Sequence, residues 1–247
     1  MRLGIIGGGR AAWAFGATWR RIGWPIAGVS LREGSASPIA SLLNAPRRTA
    51  TELAHDADLL LLAISDRAIA EIAASLPESR AIVFHPSGSL TAVRGGFSLH
   101  PLRALPPAGE PSDLRDTLLV FEGNHRGVAK EIADAAGARF AEIAPEKKVA
   151  YHAAAVFGSN YVALMLELAQ ELIGIDDVRD DIRDDLVALA QSAIANWRTH
   201  DDARRFTGPA ARGDGETIER HLSALADRPE IFAIYRLLAD RILAARE

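Results

Sequence analysis

Cysteine is absent from the 247 residues. Without a thiol the chain has no disulfides, no cysteine nucleophile and no thiolate-held metal. Charge of one sign is scarce as well: 28 Lys and Arg against 32 Asp and Glu leave a formal net charge of −4. So slight a balance offers no grip on nucleic acid or an anionic membrane surface, and neither is an expected partner. No uninterrupted apolar run approaches the roughly 20 residues that cross a bilayer. The first apolar run starts at Leu3, with no charged leader ahead of it, so a cytoplasmic protein is expected. The seven histidines show no zinc-like spacing, so no metal site is expected. Internal repeats and low-complexity tracts are missing too.

What is present is a chain 49% hydrophobic and long enough for one or two domains. Its first part alternates short apolar runs with helical patterns. Strands are expected at Arg2–Ile6, Ile26–Ser30, Leu59–Ile64, Ala81–His85 and Thr117–Phe121, with a weaker one near Arg139–Ile143. Between them Ala11–Ile22, Thr51–His55, Arg67–Ser75 and Arg126–Ala136 carry helical periodicity. The run from Leu59 to Ile64 does not alternate, as expected of a strand covered on both faces. This order predicts an α/β fold, a doubly wound parallel Rossmann sheet. After Pro145 only helical signals remain: Glu146–Ile173, about Asp177–Trp197, Gly215–Leu225 and Glu230–Ala245. Gly174 suits the end of the first of these. Two domains are therefore expected, an α/β domain over 1–145 and a smaller all-helical domain over 146–247.

The stretch "GIIGGGRAA" places Gly7, Gly8 and Gly9 between the first strand and the first helix. Gly7, Gly9 and Ala12 fit the G-x-G-x-x-G/A spacing of a dinucleotide turn. There the first glycine makes the bend, the second lets a diphosphate approach the backbone, and the third small residue packs helix on strand. The end of the second strand then discriminates between cofactors. An NAD site carries an acid there, whereas this chain reads Ser30-Leu31-Arg32-Glu33. A hydroxyl and a guanidinium suit a 2′-phosphate, Arg10 adds a second cation, and NADP is expected, although Glu33 leaves NAD open.

Ligands in open α/β sheets gather at the carboxyl ends of strands. Ser65-Asp66, His85-Pro86-Ser87-Gly88 and His100-Pro101 lie at or near such ends. Ser65 is placed with the cofactor, and Asp66 reads as a helix N-cap. His85 and Ser87 either line a nicotinamide pocket or form an ordinary turn. In the apolar helix after Pro145, His152, Val156 and Ser159/Asn160 fall on roughly one face. That face either meets a substrate or makes a helix–helix hydrogen bond. The acids from Asp176 to Asp185 read as a solvated helix end. In the loop after Phe206, Arg212 could grip a substrate carboxylate, and Asp214 reads as a cap.

Together the glycine turn, "HPSGSL", "SLHPL", "YHAAAVFGSNYVAL" and "FTGPAARGDGETIERHL" resemble a bacterial family that joins a Rossmann-like domain to an all-helical domain of unknown function. That family is similar to pyrroline-5-carboxylate reductase, to deazaflavin-linked NADP oxidoreductases and to the 6-phosphogluconate dehydrogenase superfamily. The resemblance implies NADP at Gly7, Gly9 and Ala12, a cleft between the domains, and a homodimer through the helices. Hydroxyacid dehydrogenases place Lys and Asn four residues apart, whereas here Lys148 is followed by His152, so their lysine-acid chemistry does not transfer. The expected function is NADP-dependent hydride transfer to or from a small C=O or C=N group. His152, Asn160 and His85 are the catalytic candidates, with Ser87, Ser159 and Arg212 toward substrate. The alternative is a non-catalytic protein that binds NADP as a sensor or scaffold.

Overall fold

The computed structural model describes residues 1–173, 182–201 and 203–245, and the chain divides into two compact units, Met1–Ser159 and Asn160–Glu247. The first unit is built on one seven-stranded sheet: β1 (Leu3–Ile6), β2 (Ile26–Ser30), β3 (Leu59–Leu62), β4 (Ile82–His85), β5 (Phe97–Pro101), β6 (Leu118–Gly123) and β7 (Arg139–Glu142). Its spatial order is β2-β1-β3-β4-β5-β6-β7. The chain leaves β1 for one side and returns through β3 on the other, so the crevice of a doubly wound sheet opens at the end of β1. Every residue of β1 and β3 is buried, which is what the unbroken apolar runs anticipate.

Helices α1 (Arg10–Arg21), α2 (Ile39–Leu42), α3 (Ala50–Asp56), α4 (Asp66–Ser75) and α5 (Arg126–Ala136) belong to this sheet. Ala12, Phe15 and Trp19 of α1, spaced three and four apart, form its buried stripe. Helix α3 starts on a capping box, in which Thr49 accepts from the Glu52 amide and Glu52 answers to the Thr49 amide. Phe84 and Phe97 stack with ring centroids 5.0 Å apart, and Phe15 meets Phe84 edge-on at 5.6 Å.

Besides the short helices at Ile39–Leu42 and Pro209–Arg212, which fall where loop was expected, two larger features depart from the sequence-based expectation. Strand β5 was not anticipated, and its pairing with β6 is antiparallel, so the sheet is mostly rather than wholly parallel. Only five residues long, with a glycine pair before it and Pro101 at its end, it carries little strand signal. The single helix expected over Glu146–Ile173 is instead two. A 3₁₀ turn at Pro145–Lys147 leads into α6 (Lys148–Phe157), and α7 (Asn160–Ile173) starts after a turn at Gly158-Ser159. Ser159 closes the first helix on itself: its amide reaches the Val156 carbonyl at 3.2 Å and its hydroxyl the Ala155 carbonyl at 2.7 Å. A poor helix former next to a hydroxyl that competes for backbone carbonyls explains the break. The one-face argument from His152 through Asn160 assumed a continuous helix and fails at this turn. Counted with its polar interruptions, Pro145–Ile173 is long and apolar enough to cross a membrane by length and composition, which a count of uninterrupted apolar residues does not show.

The second unit contains α7, α8 (Ile182–Thr199), α9 (Pro209–Arg212), α10 (Gly215–Ala224) and α11 (Pro229–Ala244). Asp214 caps α10 as expected, accepting from the Thr217 amide at 3.1 Å. Asp184 and Asp185 occupy the exposed first turn of α8, while Gly174, Asp176, Asp177, Asp180 and Asp181 lie outside the described residues. The buried cluster of this unit is small: Ala210, Ile218, Leu222 and Ala239.

Candidate functional site

The turn after β1 is held by the Gly7 amide, which donates to the Ser30 carbonyl at 2.9 Å. Gly7 has φ +115°, and a Cβ there would stand 2.1 Å from the Ala63 carbonyl oxygen, so only glycine fits. At Gly8 a Cβ would meet Ser37 Oγ, whose hydroxyl donates to the Gly8 carbonyl at 2.8 Å. Gly9 is different. Nothing lies within 4 Å of where its Cβ would be, and it starts α1 with no side-chain cap. The uncapped amides of that helix end therefore face open space, the arrangement that receives a diphosphate. Ala12, fully buried, provides the close packing of helix on sheet.

A cleft of about 840 Å³ spreads from this turn. Gly7, Gly8, Gly9, Arg10, Ser30, Arg32, Ser35, Ser65 and Arg67 line it, together with Pro86 from the loop after β4. No Asp or Glu lines it, and Glu33 is outside it. The cleft therefore offers guanidinium and hydroxyl donors and no acid to accept from ribose hydroxyls. Ser65 is the N-cap residue of α4, and its hydroxyl makes no cap bond.

Asp66 is not the N-cap anticipated for it. It occupies the first helical position, and its Oδ2 accepts from Ser87 Oγ at 2.7 Å and Ser89 Oγ at 3.1 Å. Ser87 Oγ in turn accepts from the Leu90 amide at 3.0 Å. His85 is fully buried; its Nε2 bonds the Thr91 carbonyl at 3.0 Å and its Nδ1 accepts from the Ser87 amide at 3.3 Å. Burial pushes the imidazole of His85 below its usual pKa. Of the two readings open for His85 and Ser87, this geometry has the features of the turn, in which both side chains shape the loop after β4.

Beyond that loop lies a second group of polar side chains, from β5, β6 and α6. His100 Nδ1 and the Tyr151 hydroxyl are 2.7 Å apart, and the His100 and His152 rings meet edge-to-face at 5.7 Å. Gly88 makes room for both rings: a Cβ there would come within 2.5 Å of His152 Cδ2 and 3.1 Å of His100 Nε2. Burial, with the His152 ring and the Lys148 charge nearby, pulls His100 down to about 4. Burial pushes the Tyr151 phenol up to about 12. Lys148 is 1% exposed, its Nζ donating to Ser98 Oγ at 2.6 Å and to the Ser87 carbonyl at 3.3 Å. Ser98 Oγ passes the contact on to Glu122 Oε2 at 3.3 Å. Burial lowers the Lys148 pKa, and the carboxylates of Glu122 and Asp66 hold it up. Among the described residues no group of three or more metal-ligating side chains converges.

Residues 118–242 match the model of a domain of unknown function, DUF2520, which is half of the chain. The chain belongs to the DUF2520 family. Its residues 1–102 match a Rossmann-like domain. No curated protein matches it. Among solved structures, an NADP oxidoreductase of Bacteroides fragilis, provisionally so assigned, has a TM-score of 0.80 at 24% identity over 98% of each chain. A reductive aminase of Aspergillus terreus, solved with NADPH and ethyl levulinate, has a TM-score of 0.69 at 12% identity, covering 98% of this chain and 93% of that one. The Plasmodium falciparum pyrroline carboxylate reductase, solved with NADP bound, has 0.64 at 12% identity over 100% and 98%. At these identities the likeness is one of fold.

Within this DUF2520 chain the predicted site residues divide between the units. Gly7, Gly8, Gly9, Arg10, Ser30, Arg32 and Ser65 share the one cleft. Ser159 turns its hydroxyl back on α6, whereas Asn160 and Arg212 are exposed residues of the second unit. Sequence reasoning named His100 near a strand end without choosing it for the site, and it missed Tyr151, Ser98 and Glu122. The signal was faint: "SLHPL" shows a histidine, but its strand was not legible, and the i, i+3 spacing of Lys148 and Tyr151 was not used.

Proposed function

We propose that this protein is an NADP-dependent oxidoreductase moving hydride between NADPH and a small C=O or C=N compound. The observation that carries this is the cleft: a glycine turn open at Gly9, with Arg10, Arg32, Arg67 and Ser30 around it and no carboxylate. The amides after Gly9 would hold the diphosphate, and Ser30 with Arg32 the 2′-phosphate. The bound cofactor supplies the hydride. Pro86 lines the cleft, and Gly88 two residues on in the same loop leaves room for both imidazoles, so in this reading proton handling falls to the His100 and His152 cluster. The NADP and NADPH complexes of structural neighbours support the reading.

The protein acts as a homodimer in this reading. Leu189, Trp197 and Leu237 stand 66%, 64% and 71% exposed, a surface that a second copy would cover.

The test is a spectrophotometric screen of small carbonyls and imines for NADPH oxidation. Turnover of at least one class is expected. Saturable NADPH binding with no turnover across the panel would replace this reading with that of a cofactor-binding sensor.

A further inference from the structure

The His100–Tyr151 contact has a direction, and the direction selects a substrate. Burial keeps the phenol protonated and the imidazole neutral, so each group brings one proton to the pair. Two arrangements are possible at 2.7 Å. With the phenol donating to Nδ1, the stronger acid meets the stronger base and the remaining proton sits on Nε2. With Nδ1 donating to the phenol oxygen, the half-buried phenol proton loses its partner, and an unmet buried donor is costly. The first arrangement wins. Among the described residues, His100 Nε2 has no recorded hydrogen-bond partner, nor is it among the buried atoms left without one. Gly88 borders it without a side chain, since a Cβ there would stand 3.1 Å from Nε2.

Lys148 does not compete for this role. Its ammonium is sealed and bonded to Ser98 Oγ and the Ser87 carbonyl, with Glu122 behind. That makes it the counter-charge that fixes α6 on the sheet.

We propose that His100 Nε2–H is the hydrogen-bond and proton donor to a substrate carbonyl oxygen, with Tyr151 the positioning residue that fixes its tautomer, and that the substrate is therefore an aldehyde or ketone. This rests on the oxidoreductase reading above and narrows it. An N–H donor needs a lone pair to receive it, and a carbonyl oxygen has two. An imine is reduced readily by hydride as its iminium form, whose nitrogen has none left to accept the Nε2 proton. As hydride reaches the carbonyl carbon and the C=O π bond opens, the oxygen takes the Nε2 proton. Nδ1 takes the phenol proton, and the phenolate is reprotonated from water. A neutral imidazole can fill such a role at neutral pH because the relay spares it from becoming an imidazolate.

The test has two arms. In the first, histidine is labelled with ¹⁵N and the His100 ring is observed at pH 7 without cofactor, assigned by its loss in His100→Asn. The expected spectrum has an unprotonated Nδ1 and a proton on Nε2 in the wild type, and exchange between tautomers in Tyr151→Phe with the other histidines unmoved. A protonated Nδ1 in the wild type, or an unchanged tautomer in Tyr151→Phe, overturns the pairing. In the second arm NADPH oxidation is followed with carbonyls and imines. Carbonyl turnover is expected, falling at least about 100-fold in kcat in His100→Asn while NADPH affinity holds. Turnover of imines alone, or full carbonyl turnover by His100→Asn, overturns the substrate assignment. Failure to bind NADPH removes the oxidoreductase reading and the substrate assignment with it, while the tautomer arm still decides the pair.

Discussion

In the sheet unit Leu3, Ile5, Phe15, Phe84 and Phe97 are wholly out of water, whereas in the helical unit Leu189, Trp197 and Leu237 stand more than half exposed. The helices of the two units also differ in patterning: α1, α4 and α5 segregate apolar residues to one face, whereas α7, α8 and α11 do so only weakly. A sheet covered on both faces takes in continuous apolar strands and leaves α1, α4 and α5 with one buried stripe each. In α7 none of the fourteen residues is buried, although ten of them are apolar. At about 25 cal/mol per Å², leaving such a surface wet forgoes the main driving force for folding. The sheet unit therefore carries its own stability, whereas the helical unit leaves the apolar surface that the homodimer proposed above would cover.

The comparison can be broken first at Lys148. A buried charge whose neighbours are Ser98, Ser87 and Glu122 should tolerate loss poorly, since Lys148→Ala leaves Glu122 without its counter-charge. A loss of about 3–5 kcal/mol is expected in urea unfolding, and Lys148→Met with Glu122→Gln should recover much of it. A Lys148→Ala protein as stable as wild type would show that the sheet unit does not depend on this pair.

The helical unit should respond at its surface instead. Leu237→Glu and Trp197→Glu each place a charge on an exposed apolar side chain, so monomer stability should change by no more than about 0.5 kcal/mol. Sedimentation should nevertheless turn a micromolar dimer into a monomer. Wild-type protein that sediments as a monomer at that concentration contradicts the dimer directly.

Acid should act on the sheet unit. His100 and His85 have folded-state pKa values depressed from the ordinary 6.5, His100 to about 4. The unfolded chain then binds more protons than the folded one between those values, so stability is full above pH 6.5 and falls as pH drops toward 4. For His100 alone the loss is about 2–3 kcal/mol at the bottom of that window. Tyr151→Phe leaves His100 buried, so the acid loss should persist in that variant, and His100→Asn should flatten it. An unchanged profile in His100→Asn assigns the effect to other groups.

Much of this comparison was legible in the sequence because it rests on local rules. Gly7 makes the bend of the turn and the leucines of β3 need two covered faces, each decided within a few residues. The Thr49-Glu52 capping box was as local but went unread, and the helix was expected only from Thr51. The cofactor end of the site is of this kind, since the turn and the end of β2 are close in sequence and adjacent in the sheet. The other end is not. His100 meets Tyr151 across 51 positions and Ser98 meets Lys148 across 50, contacts that exist only once β5 pairs with β6 and α6 docks. The helix break at Ser159 was hidden for a different reason: a hydroxyl reaching back to Ala155 reverses the propensity of an otherwise helical run.

The central claim is that the open glycine turn and the acid-free cleft hold NADPH, and a fluorescence titration of the wild type with NADPH and NADH, repeated on Arg32→Ala, tests it most directly. A charge-assisted contact to the 2′-phosphate is worth about 1.5–3 kcal/mol, so NADPH should bind at least about tenfold more tightly than NADH. In Arg32→Ala that preference should shrink several-fold through weaker NADPH binding, with NADH affinity unchanged. Equal affinities in the wild type, or a preference that survives the loss of Arg32 intact, would contradict the account.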